Sequence, residues 1–179
     1  MPNLEEEIQS IITPEIASES VMNQYSERLK EGNPTRDENP ASHYCAYFLP
    51  YNKKTQQVFL GHHKKSGLWL SPGGHIDKGE MLFHALTREI REELGVIHKP
   101  PENLKPFLLT ITPINNPSKG PCRFHYDVWY RIQTDGSEFS VDPTEFHATR
   151  WFTINEAKEI VTDKSNLEVL EKMADFFKS

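Results

Sequence analysis

The sequence predicts an α+β fold in which helices and strands occupy separate parts of the chain. Apolar residues recur at helical spacing near both ends of the chain, and short runs rich in aromatic and β-branched residues fill much of the middle. The coarse order is two helices, strands, one helix, strands and two helices. This order favours a sandwich with segregated helices over a doubly wound α/β sheet.

The composition is that of one globular domain, with or without an appendage. The chain has 179 residues, of which 36% are hydrophobic and 26% charged, and its net charge is −6. Phosphate-backbone affinity needs clustered lysine and arginine, so long nucleic acid is not an expected partner. No apolar run approaches the roughly 20 residues that span a membrane, and the acidic start resembles no signal or transit peptide. We therefore expect a cytoplasmic protein without a membrane partner.

Residues 1–36 are predicted to form a helical extension and linker, and residues 37–179 to form the main domain with its C-terminal helices. Thr13 and Pro14 have the pattern of a cap followed by proline in the first turn, so a second helix is predicted from there to Gly32. A polar, proline-marked segment follows and predicts the boundary. The extension is a candidate for covering a site or forming a homodimer interface.

The middle of the chain is predicted to be rich in strands. The first two strands are separated by a turn-like segment, which predicts a hairpin, and a loop is expected at 115–121. Thr153 and Glu156 form a capping-box pattern that opens a helix. A final helix begins at Asp163 or Ser165. The predicted strands are 43–50, 57–63, 107–114, 122–133 and 149–154.

One predicted helix, at 79–94, carries an unusual group of carboxylates. Glu89, Glu92 and Glu93 are spaced i, i+3 and i+4, so their side chains meet beside the apolar stripe that faces the core. Like charges at this spacing are destabilising unless positive charge lies between them. Arg88 can offset only part of this repulsion, whereas Mg²⁺ or Mn²⁺ suits clustered oxygen ligands. A solvated acidic face is the alternative interpretation.

The segment around this helix resembles the signature of the Nudix hydrolases. The pattern is a glycine, five residues, a glutamate, seven residues, and then Arg-Glu-aliphatic-x-Glu-Glu-x-Gly-aliphatic, and the sequence departs from it nowhere. The resemblance implies the Nudix α/β/α sandwich with a mixed sheet. The matching positions are Gly74, Glu80, Arg88, Glu89, Ile90, Glu92, Glu93, Gly95 and Val96.

The resemblance also implies an activity and a set of roles. Nudix hydrolases cleave a diphosphate linkage, often in a nucleoside diphosphate joined to a group X, with Mg²⁺ or Mn²⁺. By position, Glu89, Glu92 and Glu93 would be metal ligands, with the Gly73 carbonyl nearby. Arg88 would orient the carboxylates. One of the three glutamates, or an acid from a later loop, would help to deprotonate the attacking water, and Glu80 would support the loop.

The later acid and the substrate contacts are less strongly specified. Glu145, in the loop before the last strand, is the candidate fourth acid, with Glu138, Asp142 and Asp127 as alternatives to it and a plain surface acid as the other interpretation. His62 and Lys64, in a cluster with His63 and Lys65, are candidate phosphate contacts, or else lie at a solvated hairpin end. His125 and Asp127 alternate onto one face of a predicted strand and are further candidate substrate contacts. Trp69 is expected to pack beneath the loop.

Zinc and disulfides are not expected. The eight histidines show no HxxxH or Cys/His ligand spacing. The two cysteines, Cys45 and Cys122, lie far apart in the sequence and in no CxxC pattern, so two reduced, packed thiols are the favoured interpretation.

Two other functions fit parts of the pattern. A non-catalytic Nudix-fold binding or regulatory module usually loses one of the glutamates, and here all are present. An enzyme like isopentenyl-diphosphate isomerase uses a cysteine and a glutamate facing the substrate, but Cys45 is in no recognisable version of that motif. We therefore expect a metal-dependent hydrolase acting on a small-molecule diphosphate or nucleotide.

Overall fold

The computed structural model describes residues 3–97, 99–115 and 120–179. Residues 116–119 of the predicted loop, and the first two residues of the predicted extension, lie outside the described part. The elements are α1 (Leu4–Ile11), α2 (Glu19–Lys30), β1 (Ser42–Asn52), β2 (Gln57–His63), β3 (Trp69–Leu70), β4 (Gly73–His75), α3 (Leu82–Leu94), β5 (Leu108–Pro113), β6 (Phe124–Gln133), β7 (Phe146–Thr153), α4 (Ile154–Ile160) and α5 (Lys164–Lys178).

The strands form one mixed sheet with the order β3-β2-β1-β6-β5, in which β4 pairs with β1 and β7 with β2. The long strand β1 runs parallel to β6, from the Ser42–Phe124 pair to the Tyr51–Gln133 pair. The same strand is antiparallel to β4 near its start and to β2 near its end. The predicted hairpin and the mixed α+β sheet are therefore confirmed.

Helices cover both faces of this sheet, as alternation along β1 shows. Tyr44, Ala46 and Phe48 are buried in a core shared with α1, α2 and α3. Leu49 and Tyr51 are buried in a second core shared with α4 and α5. Each large apolar side chain contributes about 1.5–3 kcal/mol when fully buried, so both helical layers are held by apolar packing. Within the described residues, no helix is both long and apolar enough to cross a membrane.

The N-terminal helices share the first core. Leu4 and Ile8 of α1 and Tyr25 of α2 are buried in it, and the Tyr25 hydroxyl donates to the Asp127 carbonyl at 2.7 Å. The predicted start of the second helix was wrong, because Ser18 and not Thr13 is its N-cap. The chain before Ser18 forms a turn instead. This turn lets the Ile16 carbonyl accept from Leu109 N at 2.9 Å, which satisfies a donor of β5.

The helix that carries the carboxylates begins later than predicted. It starts at Leu82, since residues 77–80 form a turn in which Glu80 N donates to the Asp77 carbonyl at 3.0 Å. It ends as predicted at Gly95, which is left-handed with φ 66°. At the other end of the chain, the capping box of Thr153 and Glu156 is confirmed.

Candidate metal and catalytic site

The site lies where strand β4 meets helix α3. Gly74 of β4 packs directly against the Glu89 carboxylate of α3. A Cβ atom at residue 74 would lie 2.6 Å from Glu89 Oε1, closer than real Cβ atoms approach other heavy atoms. Arg88 holds the same Glu89 oxygen at 2.7 Å, so any side chain at residue 74 would have to displace a hydrogen-bonded carboxylate.

A second glutamate of α3 holds the same loop through its backbone. Gly73 N donates to Glu93 Oε2 at 2.7 Å. Glu93 is 5% exposed, so this contact is shielded from solvent. The peptide of Gly73, predicted to offer its carbonyl to a metal, thus lies beside the carboxylates of α3.

Arg88 ties the loop and the helix together. Its guanidinium donates to both oxygens of Glu80, at 2.8 and 2.9 Å, and to the His75 carbonyl at 2.8 Å. It also donates to Glu89 at 2.7 Å and to Glu92 at 3.3 Å. A planar fork of donors suits such a set of acceptors. Arg88 therefore links Glu80 of the loop to Glu89 and Glu92 of the helix.

The two buried carboxylates, Glu89 and Glu93, are costly to keep charged. Burial raises the pKa of Glu89, although Arg88 opposes this shift. Burial, followed by repulsion from Glu89, raises the pKa of Glu93 well above its usual range. Both shifts mean that two anions here are costly without a cation between them. The donors are hard carboxylate oxygens on a partly enclosed surface, so their chemistry fits Mg²⁺ or Mn²⁺.

A loop from the far end of the sheet brings another acid to this cluster. One donor atom each from His63, Glu93 and Glu145 lies within 4.8 Å of the others. The Glu145 carboxylate is 3.6 Å from His63 Nε2 and 3.4 Å from Lys65 Nζ. The acid that the sequence nominated thus lies beside Glu93. Of the alternatives to it, Asp142 accepts from the Thr144 hydroxyl and amide.

The comparisons with known proteins decide the family. A family model described as the NUDIX domain matches residues 41–173, which is most of the chain. The chain belongs to the Nudix family. Nudix hydrolase 6 of Arabidopsis thaliana is 24% identical over 112 residues, covering 59% of this chain and 37% of its own length. The matches to three curated relatives, this one included, span between 31% and 37% of those proteins' lengths.

Two solved structures show the same fold. The E. coli dihydroneopterin triphosphate pyrophosphohydrolase matches with a TM-score of 0.63 and 18% identity, over 72% of this chain and 92% of that one. The Nudix domain of Shewanella oneidensis NrtR, solved with ADP ribose, matches with a TM-score of 0.61 and 17% identity, over 86% of this chain and 98% of that one. At such identities the likeness establishes the Nudix fold alone.

The basic cluster before the Nudix loop divides into two parts. Alternation along the end of β2 brings His63 towards Glu145, and Lys65 follows it. His62 instead stacks on Trp69, with ring centroids 5.3 Å apart, and its Nε2 lies 3.1 Å from the Gly67 carbonyl. Lys64 Nζ donates to the Pro143 carbonyl at 2.6 Å. The structure thus places His63 and Lys65, rather than His62 and Lys64, at the carboxylate cluster.

The other predicted substrate contacts, on β6, lie on the sheet face opposite α3. Asp127 is 1% exposed and accepts from the hydroxyls of Thr110 and Thr112. Burial raises the pKa of its carboxyl to about 7. Asp127 therefore lies below the surface at which a substrate would bind, and its role as a substrate contact stays a prediction. His125 is half-buried, and its Nε2 lies 3.4 Å from His75 Nε2.

Proposed function

We propose that the chain is a metal-dependent hydrolase of a diphosphate (P–O–P) linkage in a small molecule, such as a nucleoside diphosphate joined to a group X. The observation that supports this most is the pair of buried carboxylates, Glu89 and Glu93, fitted around the Gly73–Gly74 backbone. Burial raises the pKa of both side chains, so a bound cation would favour their charged forms. Mg²⁺ or Mn²⁺ at a phosphate-cleaving site would supply that charge.

The proposed ligands are Glu89, Glu92, Glu93 and the carbonyl of Gly73. A divalent cation held there would supply positive charge for the phosphate oxygens and for the charge that develops on the transferred group. Arg88 keeps Glu89 and Glu92 on the same side of α3 through its two contacts with them. This positioning sets the geometry in which a diphosphate can be held.

Proton transfer is assigned to a carboxylate at the rim of the cluster. Glu92 has a half-exposed side chain, with 52% of its surface accessible, whereas Glu89 and Glu93 are buried. Glu145 faces the cluster from the opposite loop. Either side chain can accept a proton from the attacking water, because both reach the solvent side of the buried acids.

Lys65, which follows the end of β2, places a positive charge next to these acids. Lys65 and His63 contact Glu145, and Lys65 also acts to lower the pKa of Glu93. A substrate diphosphate would meet these groups as it approached the carboxylates. Small-molecule phosphates therefore suit this cleft better than a long polyanion, since the chain as a whole has a net charge of −6.

The first experiment is product release from a panel of nucleotide sugars, dinucleotides, dinucleoside polyphosphates and nucleoside triphosphates, with and without Mg²⁺. We expect one preferred class and complete dependence on the metal. Glu92→Gln should lower turnover by about 100-fold or more with the circular dichroism spectrum unchanged. The matched control is Glu159→Gln, which removes one exposed acid from α4, away from α3.

Two results would contradict this proposal. Wild-type turnover by Glu92→Gln and by Glu93→Gln would show that the catalytic assignment is wrong. Metal-dependent binding of a diphosphate without any product would favour the non-catalytic binding module instead.

A further inference from the structure

A second group of ligand-type side chains lies on the sheet face opposite α3. It consists of His43 and Cys45 on β1, His75 on β4 and His125 on β6. One donor atom from each lies within 4.8 Å of the others. Strand register explains the grouping, because His43 pairs with His125 and Cys45 pairs with His75. Neighbouring strands therefore assemble three imidazoles and one thiol that are scattered in the sequence.

One of these imidazoles has a buried nitrogen in need of a partner. His43 Nδ1 lies 3.1 Å from the Asn39 carbonyl, so this nitrogen carries the proton and donates it. Nε2 is then a bare lone pair. It is buried and, within the described residues, has no hydrogen-bond partner. Such a nitrogen is costly to leave unsatisfied, and donation of the other ring N–H to a backbone carbonyl is the usual support of a metal-binding histidine.

The spacing of the other two histidines also fits a shared ion. Nε2 of His75 and Nε2 of His125 are 3.4 Å apart. Zinc–nitrogen bonds of about 2.0–2.1 Å in a tetrahedral site place two nitrogens about 3.3 Å apart. The three rings lie edge to face or tilted, with centroids 4.8 to 5.1 Å apart. Closing the longest separation needs side-chain movements of about an ångström, and the strands can stay in place.

The site has an entry path for an ion, and Arg36 makes a contact that competes with one of its ligands. His75 and His125 are half-buried, so an ion can reach the group from solvent, whereas His43 and Cys45 are fully buried. Arg36, an exposed residue, donates to His75 Nδ1 at 3.3 Å. An ion on Nε2 of His75 would move the ring proton to Nδ1, and Arg36 would then turn away.

We propose that His43, Cys45, His75 and His125 form a second metal site, specific for Zn²⁺ or a similar borderline-soft divalent ion rather than Mg²⁺. Imidazole and thiolate are the ligands that select such ions, and one thiolate with three imidazoles completes a tetrahedral structural site. On binding, the Cys45 thiol releases its proton to solvent as the sulfur–metal bond forms. The ion would join β4 to β1 and β6 beside the Nudix loop.

The test uses the full chain after removal of metals with a chelator. Zn²⁺ uptake is measured directly, and Co²⁺ is then substituted as a spectroscopic probe. We expect one tightly bound Zn²⁺ per chain. The Co²⁺ form should show intense visible bands of a tetrahedral site and a thiolate-to-metal charge-transfer band in the near ultraviolet.

Variants assign the signal to these residues. Cys45→Ser should abolish the charge-transfer band, and His125→Gln should weaken Zn²⁺ binding by more than about 100-fold, since even outer partners of a ligand matter by 10–100-fold. Because His125 is only half-buried, we expect His125→Gln to fold even if Cys45→Ser does not. Cys122→Ser and His84→Gln are the matched thiol and imidazole controls, and both should keep the bands.

Glu93→Gln separates this site from the proposed Mg²⁺ site and should also keep the Co²⁺ bands. The proposal is overturned if the chelated protein takes up no Zn²⁺ at micromolar concentration. It is equally overturned if the charge-transfer band survives Cys45→Ser, or if Cys122→Ser or Glu93→Gln abolishes the bands.

Discussion

The two faces of the sheet at β4 differ in the chemistry they present. Gly74 and His75 are consecutive residues, yet Gly74 lies against Glu89 beneath α3 while His75 meets His125 on the other face. One face offers carboxylate oxygens, and the other offers imidazole nitrogens and a thiol. Because side chains alternate along a strand, a strand of three residues can serve two groups of opposite ligand preference.

Burial acts on the two groups in the same way. It raises the pKa of Glu93, and it lowers the pKa of His75 to about 3, with help from the charges of His125 and His43. Both shifts favour the uncharged side chain. Burial therefore disfavours charge in both groups, and the ligand atoms determine which ion each group suits.

The largest expected effect is a loss of turnover at the carboxylate face, with the histidine and cysteine group unchanged. Glu93→Gln removes a buried carboxylate, and the Gly73 amide keeps an oxygen to which it can donate. We expect turnover to fall by about 100–1000-fold, the range seen when one charge-stabilising group is removed from a hydrolytic site. Steady-state kinetics with saturating Mg²⁺ measure this. An effect smaller than tenfold would remove Glu93 from the proposed ligand set.

The next effect tests the close approach of the backbone to the carboxylate face. Gly74→Ala places a methyl group 2.6 Å from the initial position of Glu89 Oε1, so this carboxylate has to move. We expect turnover to fall by about 10–100-fold, because displacements near an ångström cost that much in positioned sites. Gly120→Ala is the control: its Cβ would meet no atom within 4 Å of the described chain, and the left-handed φ of 75° at this residue adds backbone strain away from Glu89. Equal losses in both variants would contradict the steric argument.

A smaller effect is expected at the residue that orients the acids. Arg88→Lys keeps the positive charge but loses the two-pronged contact with Glu80 and the bond to the His75 carbonyl. We expect about tenfold slower turnover and a loss of about 2 kcal/mol in the free energy of unfolding. Activity assays and urea denaturation measure these two changes. Unchanged values for both would show that charge alone is sufficient at residue 88.

Sequence reasoning specified the carboxylate face far better than the opposite one. The Nudix pattern gathers its residues within one loop and helix, so Glu89, Glu93 and the end of α3 at Gly95 follow from local spacing. Glu145 lies on a loop more than 50 residues further along the chain. The sequence could therefore suggest this acid as a candidate but could not predict its contact with the group. The starts of two helices were predicted too early, because the chain forms a turn before Leu82 in α3 and before the N-cap Ser18 of α2.

No local sequence pattern marks the group of three histidines and one cysteine. Its members come from three strands, and only the register of β1 with β4 and β6 brings them together. Spacing rules for zinc ligands assume residues close in sequence, so they give no information on four side chains from three different strands. The burial of Asp127 was equally invisible, because alternation fixes which face a side chain takes and not what covers it.

The smallest predicted effect is at the start of α3, where a side chain of α1 accepts from the first helical amide. Glu7 of α1 accepts from Leu82 N at 2.8 Å, and Leu82 begins α3. Glu7→Ala leaves this first helical amide without its acceptor, so we expect a loss of about 1 kcal/mol in the free energy of unfolding. Thermal denaturation measures it, with the exposed Gln9→Ala of the same helix as the control. A matching loss in the control would contradict a capping role.

The buried side chain of Arg28 connects the N-terminal helices to the first strand of the sheet. Its guanidinium donates to the carbonyls of Gly32, Asn33 and Ser42, at 2.6 to 3.2 Å, and it is 2% exposed. The segment that the sequence marks as a linker is thus fastened at both ends by one side chain. A protease would meet a closed loop there, and the helices and the sheet are expected to unfold as a single cooperative unit.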